Sequence, residues 1–550
     1  MWRNNMRRVL TVILIGFAGF ISLGCSHFDD MNKNPYAIYD ATPESYVQTI
    51  LYQTEYKMMQ KSYDLITQLM QQTVTTDYSA SSMLPYNYVI NESNASALWS
   101  LYTQKGNAES MLVAARKKND PGLEGVALVL RTMVMQIITD TYGDVPYFEA
   151  GLIPLQGSDL DFTIQYDSQK NIYIDMFKSL EKANELFQDE RCKNFNAICD
   201  YTYGGDITKW RKFGNSLYLR LLMRASLKAM EEGSGVLDLG EEYGSINVRS
   251  KIAQIYDGFV TDSGDYPIFN SIDDRARVMF SDKNSAFYTP FYTTTSGIFK
   301  TIGACATLVD EMVIKDDKGK TTHVDPRYYF YFTRPLGLPA QLSRSDVEAF
   351  LDSHVTSLGN SQVGRYASDG EYGELKNGEY YSLLNYSELL FIFAEAGCRE
   401  WLPVGSKDVK QMYLDACSAS MQEWNPYDIG PDDVTHREDY VAYLNEGYDY
   451  DKALEEIMLQ KWISTFWVGV ENWADYRRTG YPILKTNGPA AENNNILCTR
   501  MRYPATESYN NNEHYQAAVN GWLSGSDNMQ TDVWWADTYE SKSIRRKGRQ

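Results

Sequence analysis

The feature that most restricts how this chain can fold is a succession of helix-length segments whose apolar residues recur every three or four positions. Asp167 or Ser168 can cap a helix whose stripe is Ile172, Met176, Leu180, Ala183 and Phe187, with steps of four, four, three and four. Residues 128–138 are mostly apolar and are stopped by Tyr142-Gly143-Asp144 and then Pro146. Over residues 207–230, Trp210, Phe213, Leu217, Leu221 and Arg224 fall on one side, and residues 385–398, 409–424 and 453–467 follow the same logic. Core packing accounts for these stripes, so they predict a mostly α fold of packed helix pairs and carry no chemistry of their own. The scaffold is expected over about 40–230 and 380–485.

Two stretches break the pattern. Residues 77–94 and 245–332 are rich in Tyr, Asn, Ser, Thr, Gly and Asp, and are too long to be plain connectors. They read as long loops with a few short strands, the second inside a loop-rich insertion at about 231–380. Long ordered loops on a rigid scaffold are where binding usually resides. The tail, 486–550, is irregular, but Tyr503, Tyr509, Trp522, Trp534 and Trp535 argue that it packs back on the body. No strict internal repeat is visible.

The first 30 residues give an address. Arg3, Arg7 and Arg8 precede an almost unbroken apolar run, 9–23, which ends in Gly24-Cys25. This arrangement reads as a secretory signal over 1–24. The run is shorter than the roughly 20 apolar residues a spanning helix needs. A cysteine at the cut can take a lipid on its thiol, and the segment resembles a bacterial lipoprotein signal, departing from it at Ser22, where Leu is usual. An ordinary signal peptide cut nearby, or an uncleaved anchor, are the alternatives.

Composition excludes several functions. The formal net charge is −20, which repels phosphate backbones and anionic membranes, so nucleic acid is not an expected partner. Cys192, Cys199, Cys305, Cys398, Cys417 and Cys498 show neither C-x-x-C nor zinc spacing; Cys192 and Cys199 could close a small loop or remain free thiols. The five histidines share no helix-face ligand spacing, and no Ser sits in a G-x-S-x-G elbow. Gly319-Lys320-Thr321 lacks the first glycine of a phosphate loop, and Gly233-Ser234-Gly235 meets Asp238 where a dinucleotide fingerprint needs glycine, so both read as turns. No motif asks for a cofactor or a metal. Calcium on clustered acids near Asp159 and Asp161, or Asp262 and Asp265, has no EF-hand spacing behind it. A glycosidase stays open, because it needs only two carboxylates about 5–10 Å apart, which a sequence does not display.

One ordered set of motifs is more specific. Thr139-Asp140-Thr141-Tyr142-Gly143-Asp144-Val145-Pro146-Tyr147 closes a helix, and Tyr166-Asp167-Ser168-Gln169 opens the next. Trp210 leads into Phe213-Gly214-Asn215-Ser216-Leu217, followed by Arg220 and Arg224. Then come Asn385-Tyr386-Ser387-Glu388-Leu389, Ala394-Glu395-Ala396, Gln460-Lys461-Trp462, Glu471-Asn472-Trp473, Asp475, Arg477-Arg478-Thr479-Gly480-Tyr481-Pro482, Arg502-Tyr503-Pro504 and Glu507. The set resembles the SusD/RagB family of nutrient-binding surface lipoproteins, with Gly214 replacing the usual Ala. Physically these residues are mostly architectural. Arg220 and Arg224 lie one turn apart and could pair with acids such as Glu388 or Glu395, while Arg477-Arg478 would fasten the last helix to its neighbour.

The resemblance implies a single SusD-like helical domain over 25–550 with tetratricopeptide-like helix pairs and a loop-rich region that receives the ligand. It implies lipidation at Cys25, with Asp29 and Asp30 resembling a surface-export signal, and an outer-membrane location. The expected partner is a SusC-like, TonB-dependent β-barrel transporter, to which a captured oligosaccharide or peptide is delivered without catalysis. Aromatic faces and polar tips suit such a ligand. The candidates are Asp77, Tyr78, Tyr86, Tyr88, Asn91 and Trp99 from the first loop region and Tyr288, Phe291 and Tyr292 from the second, although Trp99 fits a helix core equally well. The competing readings are a surface glycosidase and a purely structural lid of the transporter.

Overall fold

The periodic segments form the helices expected of them. The computed structural model of the chain describes residues 42–76, 84–152, 163–280, 289–290, 301–355, 380–488 and 496–548. The long helices are α1 (Val47–Lys61), α2 (Tyr102–Lys118), α3 (Pro121–Tyr142), α4 (Gln169–Leu186), α5 (Ile207–Gly233), α6 (Val248–Thr261), α7 (Tyr386–Cys398), α8 (Val409–Trp424), α9 (Arg437–Gly447), α10 (Ala453–Ser464), α11 (Glu471–Thr479) and α12 (Tyr539–Lys547). Ser168 caps α4 by accepting from Asn171 N, Asp206 caps α5 by accepting from Thr208 N, and Asp120 caps α3 ahead of Pro121. Consecutive helices pack as pairs: α2 on α3, α3 on α4, α4 on α5, and α7 on α8. The fold is mostly helical, and residues Pro43–Gln550 form one compact unit.

Helix α3 is the centre. Its composition would let it cross a membrane, yet 89% of its apolar window is buried inside the protein, so it is a core helix. Gly214 on α5 explains the departure from the family's Ala: a methyl there would lie 2.9 Å from Val129 Cγ2 on α3. The two helices close up on that glycine.

Charged motif residues fasten the core. Arg220 grips Glu388 as a fork at 2.7 and 2.6 Å, and Arg478 grips Glu395 at 2.6 Å through each nitrogen. Arg224 departs from the sequence reading and pairs with Asp140 and Glu471. Lys461 and Arg478 share Asp475. Opposing the upward push of burial, Arg478 and Arg399 hold Glu395 down at about 2.

The tail completes this network. Trp535 is fully buried and donates Nε1–H to Asp140 at 2.8 Å, and the Arg477 guanidinium lies between Trp473 and Trp535, 3.7 and 4.7 Å from their rings. Tyr503 is buried as well, whereas Tyr509 is 83% exposed and stands apart from the body.

Among the described residues, four two-stranded antiparallel sheets decorate the scaffold: β1 (Thr73–Thr75) with β5 (Ile302–Ala304), β2 (Val236–Asp238) with β3 (Ser245–Asn247), β4 (Ala276–Met279) with β8 (Tyr380–Leu384), and β6 (Val313–Lys315) with β7 (Thr321–Val324). Gly319 sits in the β6–β7 turn with φ +77°, and Ser234-Gly235 ends α5 with φ of 56° and 84°, so both apparent nucleotide motifs are turns. The stretch 245–332 is less irregular than expected: it holds α6, capped by Asn247, with Val248, Ile252, Ile255 and Tyr256 buried. The six cysteines among the described residues are all free, Cys192 and Cys199 included.

Candidate functional site

The short sheets root the long loops. β1 pairs with β5 in the register Thr73↔Ala304, Val74↔Gly303 and Thr75↔Ile302, and Thr76 N donates to Thr301 O at 2.7 Å. The chain therefore leaves for the first loop beside the point where it returns from the second. β4 pairs with β8 so that Met279 faces Tyr380, joining the start of one excursion to the end of another. Gln71 and Gln341 each donate Nε2–H to Lys485 O at 2.7 Å, bringing in the start of the tail.

The β1 and β8 roots rest on the corner made by the end of α10, the turn after it and the start of α11. Gln72 donates to Trp462 O at 2.8 Å and accepts from Asn472, while Tyr381 stacks on Trp467 at 6.0 Å. Segments far apart in sequence are thus anchored on one rigid floor.

Asp77, Tyr78, Tyr288, Phe291 and Tyr292 lie outside the described residues, as does Cys25. Tyr86 is 2% exposed and packs with Val74, Cys305 and Leu338 beneath the β1–β5 root; Tyr88, 3% exposed, joins the main core. Asn91 caps the short helix Glu92–Ala95 by accepting from Asn94 N at 3.0 Å. Trp99 is half-buried among Tyr102, Tyr142, Tyr503 and Tyr166, with ring centroids 5.0 to 6.3 Å away. These four side chains brace the loop region, and their rings and amide are engaged by the protein itself.

Two clefts stand out among the described residues. One of about 720 Å³ lies between α6, α7 and α8, walled by Tyr256, Phe259, Leu390, Phe393 and Met412 and edged by the Lys407–Asp415 pair. Its walls are largely apolar. The other, of about 640 Å³, lies between the start of α4, the end of α5 and the tail, and is lined by Trp522 and Trp534 with Asp144, Lys170, Lys228, Gln530 and Thr531 among its polar groups. Burial pushes the Asp144 carboxyl up to about 6, although it accepts from Gln169 N at 2.8 Å. Its lining is drawn from residues 144 to 542, so no local motif announces this cleft. The one signal in the sequence was tryptophan in an otherwise Asn-rich tail. Among the described residues no three His, Cys, Asp or Glu side chains gather closely enough to hold a metal ion.

A family profile described as starch-binding associating with outer membrane, SusD-like, matches residues 35–504. No curated protein matches the chain. Among solved structures, a SusD homologue from Parabacteroides distasonis superposes with a TM-score of 0.69 at 20% identity, covering 91% of this chain and 99% of that one. A SusD homologue from Bacteroides fragilis gives 0.68 at 23% identity, covering 90% and 100%. A chitin-binding SusD homologue from Flavobacterium johnsoniae gives 0.66 at 20% identity, covering 90% and 99%. At these identities the structures establish a common fold.

Proposed function

Because the chain belongs to the SusD-like family, we propose that it is a non-catalytic receptor of the outer membrane that captures a neutral oligosaccharide and hands it to a TonB-dependent barrel transporter. The observation that carries this reading is the family profile running over residues 35–504, on a fold shared along nearly the whole length of structures that include a chitin-binding relative. The loop roots support it physically. A receptor needs its ligand-facing side chains held on a well-packed floor, and two strand pairs and the corner between α10 and α11 supply such a floor. Asp77, Tyr78, Tyr288, Phe291 and Tyr292 are the proposed contacts, with ring faces covering sugar C–H surfaces and the carboxylate taking hydroxyls.

The test is a titration of the purified chain with a panel of neutral oligosaccharides, assayed in parallel for new reducing ends. Saturable binding without turnover is expected, weakened about tenfold, or about 1.4 kcal/mol, by Tyr78→Ala or Tyr292→Ala. Release of reducing ends, abolished by one Asp or Glu substitution, would instead establish a glycosidase. Co-purification with a barrel and no saccharide affinity would leave only a structural lid.

Anchoring follows from the same reading. Cys25 carries the lipid that keeps the receptor beside its transporter, so cells fed labelled palmitate should yield a labelled protein. The label is expected to vanish in Cys25→Ala; a variant that keeps it would remove the assignment.

A further inference from the structure

We infer that the cleft between α4, α5 and the tail is a second binding site for a neutral saccharide, separate from the loop-rooted site and not dependent on it. Its volume of about 640 Å³ falls within the ~300–1,000 Å³ typical of small-ligand sites.

Two tryptophans line it in fixed positions. Trp534 leans on Tyr173 with centroids 5.7 Å apart and donates Nε1–H to Glu232 at 3.0 Å. Trp522 donates to the Tyr503 hydroxyl at 3.1 Å, and its ring covers Gly143. Both rings are half-buried, so they stand ready as apolar platforms that lose little freedom when a ligand stacks on them.

The electrostatics select against charged ligands. Lys170 is paired with Glu232 at 2.8 Å, Lys228 donates to Asp537 O at 2.9 Å and lies 3.5 Å from its carboxylate, and Lys542 is paired with Asp537. Each cleft lysine already has its counter-ion, Asp532 is held by Arg545, and Asp144 adds negative charge. A phosphate or carboxylate would have to displace these partners. A sugar hydroxyl need not, because it donates and accepts at once and can bridge an existing ion pair.

One group on the wall is also unsatisfied. Gln169 is fully buried; its Nε2 donates to Thr139 O at 2.7 Å, and its Oε1 accepts from nothing. A buried acceptor left in that state costs about 1–3 kcal/mol, which a donor reaching it through the cleft would recover.

The full chain should be exposed to a panel of neutral hexose and N-acetylhexosamine oligomers of about two to six units and followed by hydrogen–deuterium exchange, peptide by peptide. Protection is expected at the end of α5 and across Trp522–Asp537. Trp534→Ala, checked for an unchanged unfolding midpoint, should weaken that protection at least tenfold in ligand concentration, and Lys170→Ala, at a half-buried position, should weaken it to a smaller degree. Protection confined to the loop roots would overturn the second site and leave the receptor reading standing. No protection anywhere would overturn both. Protection by an acidic oligosaccharide or inorganic phosphate alone would overturn the neutral class.

Discussion

Replacing Arg224 by methionine is expected to lower the stability of the protein by about 3–5 kcal/mol. Arg224 is 2% exposed and pairs with two buried carboxylates, Asp140 and Glu471, that come from different helices. Methionine fills much of the volume, so the loss is electrostatic: two acids remain in the core with too little positive charge. Asp140 keeps the hydroxyl of Tyr173 at 2.5 Å and Trp535 Nε1 at 2.8 Å, and Glu471 keeps Arg220 at 3.4 Å, which limits the damage without repairing it.

The pH dependence provides a second reading of the same experiment. In the wild type, the Glu395 carboxyl titrates near 2 when folded, below the roughly 4.3 of an unfolded glutamate. Its stabilisation is therefore fully present above about pH 4.3 and is lost as pH falls through about 2. Arg224→Met should show the opposite trend at higher pH, because protonating an unpaired buried acid relieves it. The deficit against wild type, measured by denaturant midpoints, should narrow between pH 7 and pH 5. A deficit under 1 kcal/mol, or one that widens over that interval, would show that the network does not hold the core.

Gly143→Ala should be nearly as damaging. The glycine ends α3 with φ +87° and ψ −126°, a conformation costing an alanine about 1–3 kcal/mol. The added methyl would also lie 2.3 Å from Trp522 Cη2, and pushing that ring aside adds about 1–3 kcal/mol. Trp522→Ala in the same background should recover the steric share and leave the backbone share, so the two substitutions will not add. Additive losses would mean that Trp522 does not rest on Gly143. Since Trp522 also lines the tail cleft, Gly143→Ala is expected to weaken saccharide binding there.

How much of this was legible in the sequence depends on distance along the chain. Helix α4 was readable to its cap, because Ser168 and the stripe from Ile172 to Leu180 are local and periodic. Helix α6 was overlooked: its buried face is only Val248, Ile252, Ile255 and Tyr256, and Lys251, Gln254 and Asp257 between them give the stretch the polarity of a loop. For Arg220 the sequence offered Glu388 or Glu395 and the fold selects Glu388, but the Asp140 partner of Arg224, lying 84 residues back, could not be picked from 72 acids.

The candidate ligand residues show the same limit. Composition singled out two loop regions, yet whether a tyrosine such as Tyr86 faces solvent or core depends on Val74 and Leu338, which only the folded chain brings to it. The tail cleft was harder still, since its two tryptophans come from one segment and its three lysines from three helices.

The burial of Trp535 against Asp140 and Arg477 also sets the order of events in time. The innermost charged cluster is closed by a side chain from the last sixteen positions of a 550-residue chain. Until that segment has joined the fold, Asp140 lacks one of its donors, Arg477 lacks one of its two aromatic neighbours, and the helices around them cannot complete their packing. A core closed in this way reaches its full packing only when Trp535 has docked.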